Sequence, residues 1–140
     1  MPSMVAAIIQ KKIELNKKHW EKKRKSIAKQ YINKLKKFVD VPIVKKSSLH
    51  VYHKFVIKTK LRDLLQEHLK RKKIQTMIHY EVCLSDNPYL KKYKDKKKKF
   101  INSEIFSRES LSLPIHPFLT KYEINHIINS IRDFFKSNKK

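Results

Sequence analysis

The segment from His50 to Tyr80 constrains the fold more than any other. Val51, His53, Phe55 and Ile57 fall on one side of an extended chain, and Tyr52, Lys54 and Val56 on the other. That period of two marks a β-strand. From Lys60 to Lys72, Leu61, Leu64, Leu65, His68 and Leu69 recur at the spacing that lays an apolar stripe along a helix. Thr76-Met77-Ile78-His79-Tyr80 then returns to β-branched, aromatic and apolar residues over a strand's length. The three together form a strand-helix-strand unit, and the remaining elements must pack around it.

Ahead of this unit, Pro2 to about Lys37 reads as one helix. Pro2 suits a first turn, where its missing N–H would be unpaired anyway. Val5, Ile9, Ile13, Trp20, Ile27, Tyr31 and Leu35 keep an apolar face that drifts between lysine-rich faces. At 1.5 Å per residue this helix runs roughly 50 Å, too long for a domain of this size to cover. Its start, Met4-Val5-Ala6-Ala7-Ile8-Ile9, is apolar on more than one face. Either it frays or self-associates, or it expects burial against something the rest of the chain does not supply.

Pro42 and the residue before it break this helix, and Lys45 to Ser48 link into the first strand. After Tyr80 comes a loop with turn chemistry at Asp86-Asn87-Pro88. A short helix, Pro88 to Tyr93, and a solvated lysine run, Lys91 to Lys99, follow. Ile101 to Glu109 has helical spacing, and Leu111-Ser112-Leu113 is a short strand ended by Pro114. Thr120 and Glu123 have the form of a capping box. It opens a last helix whose stripe is Ile124, Ile127, Ile128, Ile131, Phe134 and Phe135. The expected class is α+β. A long helix over residues 1–40 precedes a small domain over 41–140, in which helices pack on one face of a three-stranded, mainly antiparallel sheet.

A net charge of +23 suggests an anionic partner. Only five of the 35 basic residues are arginines, however: Arg24, Arg62, Arg71, Arg108 and Arg132. Nucleic-acid recognition favours the planar, bidentate fork of arginine, so dispersed lysine charge reads as a solvated surface. A small basic nucleic-acid-binding protein is the alternative reading, with Tyr93 and Phe100 beside the lysine run as its stacking residues. Cys83 is the sole cysteine, which rules out an intrachain disulfide and suits a reducing cytosol. The apolar run at Met4 to Ile9 is far below the roughly 18 residues of a membrane span, so a cytoplasmic chain without a membrane partner is expected. Glycine is absent. Backbone nests that hold phosphate need positive φ and close approach, so the P-loop and the dinucleotide fingerprint are excluded.

A metal site from His50, His53, His79 and Cys83 fails on spacing and on having one cysteine. A Cys83–His nucleophile lacks a third, orienting group. His53, on the strand face shared with Val51 and Phe55, reads as a buried, hydrogen-bonded structural residue.

Six motifs in order resemble the C-terminal domain of the DegT/DnrJ/EryC1/StrS sugar aminotransferases. They are His50-Val51-Tyr52-His53-x-Phe55-Val56-Ile57, Arg62-Asp63-x-Leu65-x-x-x-Leu69, Ile74-x-Thr76-x-Ile78-His79-Tyr80, Asn87-Pro88-x-Leu90, Leu111-Ser112-Leu113-Pro114-x-x-Pro117 and Leu119-Thr120-x-x-Glu123. The opening through Tyr31 is similar to the helix joining that family's large and small domains. The resemblance implies fold-type I enzymes that use pyridoxal phosphate to move an amino group, typically from glutamate, to a nucleotide-linked keto-sugar. It places the Schiff-base lysine, the acidic partner of the pyridinium nitrogen and the phosphate loops in a large domain ahead of residue 1. The expectation is an N-terminally truncated or split chain that binds no coenzyme and is inactive alone. Its partner would be the missing large domain or a homodimer mate. No catalytic, cofactor or metal residue is expected within it.

As the resemblance implies, His79 hydrogen-bonds a sugar hydroxyl or phosphate of the substrate and Tyr80 packs on the sugar ring. Taken from the residues alone, both read as a sheet-end pair satisfied by backbone partners. The chain departs from the family at Lys73, Gln75 and Met77, where glycines are usual, and at Glu81 and Ser85, in place of a proline and a second histidine.

Overall fold

The computed structural model describes residues 3–93 and 100–138. The long helix is present from Ser3 to Leu35, in two parts: α1 (Ser3–Leu15) and α2 (Glu21–Leu35). A wide π turn, Asn16–Trp20, joins them, with the N–H of Glu21 reaching five residues back to the carbonyl of Asn16. Arg24 braces this turn, its Nη2 donating to Asn16 Oδ1 at 2.8 Å. The drift in the apolar pattern is thus absorbed at one place. No residue of α1 is buried, whereas α2 buries Ile27, Ala28, Tyr31 and Leu35.

Beyond α2 come β1 (Phe55–Lys58), α3 (Arg62–Arg71), the short 3-10 segments Leu84–Asp86 and Pro88–Tyr93, α4 (Ile101–Glu109), β2 (Ser110–Leu113) and α5 (Lys121–Ser137). The strands are antiparallel, with Phe55 opposite Leu113 and Ile57 opposite Leu111. These four side chains join Leu65 and Leu69 of α3, Ile128 and Ile131 of α5, and the α2 stripe in one core. Tyr31 ties the layers together. Its hydroxyl donates to the Pro114 carbonyl at 2.9 Å, and its ring meets Phe55 edge-on at 5.1 Å.

The sheet is smaller than expected. The described residues form two strands, and the anticipated third contributes a single bridge, Met77 to Ser112. The chain leaves α3 through a left-handed residue, Lys73 (φ 59°), and bends again at His79, which leaves one residue pair in register. The first strand begins at Phe55 rather than His50 because Tyr52 also has positive φ, at 50°. Its N–H donates to His50 Nδ1 at 2.9 Å, closing a turn that an extended chain cannot contain. His53 is therefore exposed, not a buried structural histidine, and Val51 is exposed with it.

Two stripes are narrower than their spacing implies. Leu64 of α3 is exposed, and α4 buries only Ser107 while Ile101, Ile105 and Phe106 face outward. The loop after Tyr80 holds the Leu84–Asp86 turn. Of the lysine run, residues 94–99 lie outside the described residues. The capping box of α5 forms in full: Glu123 N–H donates to Thr120 Oγ1 at 3.2 Å, and Thr120 N–H to Glu123 Oε2 at 2.7 Å.

Candidate functional site

His79 follows the Met77 bridge and leans on the sheet, its Nδ1 2.9 Å from the Oγ of buried Ser112. One ring nitrogen is so engaged. Burial holds its pKa below the usual 6.5, and the charges of Lys54 and then His53 push in the same direction. Near neutral pH the ring is therefore an uncharged hydrogen-bonding group.

His79 lines a cavity of about 580 Å³ built from four stretches of chain. His53 and Lys54 come from the approach to β1, and Lys73 to Met77 from the exit of α3. Ser112 and Leu113 end β2, Pro114 to His116 follow it, and Glu123 and His126 lie on the first turns of α5. Four imidazoles and two lysines thus surround one carboxylate. Glu123 is itself committed, its pKa held below the usual 4.5 by the backbone N–H and then the hydroxyl of Thr120. His126 is anchored by its Nε2, 3.0 Å from the Lys72 carbonyl.

Tyr80 points elsewhere. It is 66% exposed and lines a separate, mainly apolar groove of about 970 Å³ with Val82, Leu84, Tyr93, Phe100 and Phe106. The structure thus separates the two residues expected to share a substrate. Sequence reasoning found His79 but missed Lys54, Lys73, His116 and His126 around it. The one available signal was the capping box, which fixes where α5 begins and puts Glu123 and His126 three residues apart on one face.

Among the described residues no three His, Cys, Asp or Glu side chains converge to hold a metal ion. Cys83 is buried, with the Ser85 hydroxyl donating to its sulfur at 3.2 Å. No helix of the described residues is long and apolar enough to cross a membrane.

The profile of the DegT/DnrJ/EryC1/StrS aminotransferase family matches residues 1–132. The chain belongs to this family. It is 31% identical over 115 residues to a dTDP-3-amino-3,6-dideoxy-alpha-D-galactopyranose transaminase of Aneurinibacillus thermoaerophilus, covering 80% of this chain and 31% of that protein. It is 28% identical over 117 residues to a dTDP-3-amino-3,4,6-trideoxy-alpha-D-glucose transaminase of Streptomyces venezuelae, covering 82% and 31%. The S. venezuelae DesV structure, solved with a ketimine intermediate, superposes with a TM-score of 0.79 at 28% identity over 84% of this chain and 32% of that one. NtdA of Bacillus subtilis, solved with bound cofactor PMP, has the same fold with a TM-score of 0.70 at 23% identity, over 81% and 28%. The chain spans about a third of the length of these relatives.

The family is pyridoxal-phosphate-dependent, and the residues present do not fit that coenzyme. A Schiff-base lysine must be desolvated and the ring nitrogen needs a sheltered carboxylate. Every lysine and carboxylate whose surroundings are described is exposed or half-buried. No glycine exists to shape a phosphate cup.

Proposed function

We propose that this polypeptide is the C-terminal, substrate-facing domain of a pyridoxal-phosphate-dependent nucleotide-sugar aminotransferase. The whole enzyme transfers an amino group from an amino acid such as glutamate to a keto-sugar nucleotide. Residues 1–40 are the helix connecting this domain to the coenzyme-binding one, and His79 offers its other ring nitrogen to a hydroxyl or phosphate of the substrate. The coenzyme and its lysine reside in the large domain, so residues 1–140 alone do not catalyse the reaction.

The observation that carries this reading is α1. Thirteen residues of helix bury none of their side chains, and Met4, Val5, Ile8, Ile9 and Ile13 are all exposed. At the roughly 25 cal/mol per Å² that apolar burial contributes, an exposed stripe of this kind gains stability from a covering surface. The family match over residues 1–132 and the two dTDP-sugar transaminases among the relatives support the same assignment.

The test is to purify the chain, add pyridoxal phosphate and record its absorbance and turnover, alone and after co-expression with a large domain from the family. The expected result is no lysine-bound chromophore alone, and activity with improved solubility on co-expression. A chromophore with turnover in the chain alone, or no gain from the large domain, refutes the proposal.

A further inference from the structure

Lys73 ends α3 in a conformation that costs a lysine stability. Its N–H donates to the Lys70 carbonyl and that of Ile74 to the Leu69 carbonyl, both at 2.9 Å, while buried Leu69 and Ile74 close the apolar side of the turn. This is the Schellman ending, and Lys73, at φ 59°, takes the left-handed place that glycine fills most cheaply because it lacks a Cβ. Lys73 stands on the rim of the cavity that His79 lines, between it and a polar hollow beside α3.

The cavity collects like charge from separate stretches of chain. Lys54 arrives before β1 and Lys73 after α3, with the imidazoles of His53 and His126 beside them. The one carboxylate, Glu123, already accepts from Thr120. Lys54 and His53 both act on the titration of His79, so the groups share one field. Lys54 and Lys73 against that one engaged carboxylate leave an excess of positive charge that attracts a compact anion, and ammonium groups bind phosphate oxygens as point charges. A volume of about 580 Å³ falls within the range of small-ligand sites, roughly 300–1,000 Å³.

We propose that Lys73 and Lys54, with His53 beside them, bind a phosphate-bearing group, in particular a diphosphate, at the mouth of the His79 cavity. This deepens the substrate site assigned above and rests on that reading for the remainder of the ligand. Lys73 keeps its strained place for its charge, where a glycine would serve the helix end better.

The experiment titrates inorganic pyrophosphate into the full chain by calorimetry at near-physiological salt and repeats it with substitutions. One-site binding is expected. Lys73→Gly weakens it about tenfold, the loss of one charge-assisted contact, while raising the thermal midpoint. Lys54→Gln weakens it similarly without that gain in stability. The pair Lys22→Gln and Lys23→Gln, exposed on α2, leaves it unchanged. Pyrophosphate bound equally well by Lys73→Gly, or weakened as much by the α2 pair, overturns the proposal, since Lys73 is then only a tolerated helix end or the attraction is diffuse. Steady-state kinetics of the enzyme reconstituted with a large domain separate the two readings. An active enzyme whose KM for the sugar nucleotide ignores Lys73→Gly overturns the anion site and leaves the aminotransferase assignment standing. Lys73-dependent pyrophosphate binding without transaminase activity does the reverse.

Discussion

Replacing Tyr31 by Phe isolates the bond that fastens the long helix to the sheet. The ring is fully buried, and Phe keeps its edge-on contact with Phe55, so the loss is confined to the hydroxyl. That hydroxyl donates to the Pro114 carbonyl across 83 residues of sequence at 2.9 Å. A net hydrogen bond contributes about 1 kcal/mol, and an acceptor left unpaired in a partly buried place adds a similar amount. The expected destabilisation is about 1–2 kcal/mol, a fall in Tm of roughly 3–10 °C for a chain of this length. Urea unfolding followed by the fluorescence of Trp20, whose indole meets Phe118 edge-on at 5.8 Å, reads it directly. Burial, and then the negative charge of Glu123, raise the phenol above its ordinary pKa of 10.0. A raised folded pKa contributes stability that is complete below the unfolded pKa and is lost as pH climbs above it. The gap between wild type and Tyr31→Phe should therefore be widest near neutral pH and shrink as pH passes 10. Equal stability at pH 7, or a gap that does not narrow in alkali, refutes the reasoning.

Phe55→Ala empties a fully buried site between Tyr31 and the sheet and should cost about 3–5 kcal/mol in the same urea assay. Thr120→Ala keeps the backbone N–H that does most to depress the Glu123 pKa and removes the hydroxyl, the second group that does so. A depressed folded pKa gives stability that is present above the unfolded value, 4.5, and lost as pH falls through the folded one. The variant's Tm deficit should therefore be present at pH 7 and diminish in acid. An NMR titration of the His79 ring should show a midpoint below 6.5 that rises in Lys54→Gln, because the Lys54 charge opposes protonation. The double change Ile8→Ser and Ile9→Ser should leave the stability of the isolated chain within about 0.5 kcal/mol, since neither residue is buried. In sedimentation the same change should reduce self-association, and in co-expression it should lower recovery of activity.

The parts legible in the sequence are those whose signal is local. Thr120 and Glu123 lie three residues apart and announced the start of α5, and Ile124, Ile127, Ile128, Ile131 and Phe134 are buried as their spacing implied. The uncovered start of the long helix was equally plain. Periodicity failed where backbone torsion decided. The alternation from His50 to Ile57 is real, but Tyr52 sits at positive φ, and a period of two carries no information about one left-handed residue. Thr76 to Tyr80 has strand composition, yet a strand exists only through its partner, and β2 offers it one bridge. The site shows the same division. His79 stood in a recognisable motif, whereas Lys54, Lys73 and His126 come together only through the turn after α3 and the placement of α5. Adjacent residues were no guide either, since His79 and Tyr80 open onto different cavities.

The π turn at Asn16–Trp20 sets the azimuth of everything ahead of it. Each residue advances an α-helix by about 100°. In an unbroken rod, the mean direction of Met4, Val5, Ile8, Ile9 and Ile13 would therefore stand about a quarter-turn away from that of Ile27, Ala28, Tyr31 and Leu35. One inserted residue cancels that offset. The bare stripe and the domain's interior thus share a meridian, and a body seated on the first would prolong the second as one unbroken seam.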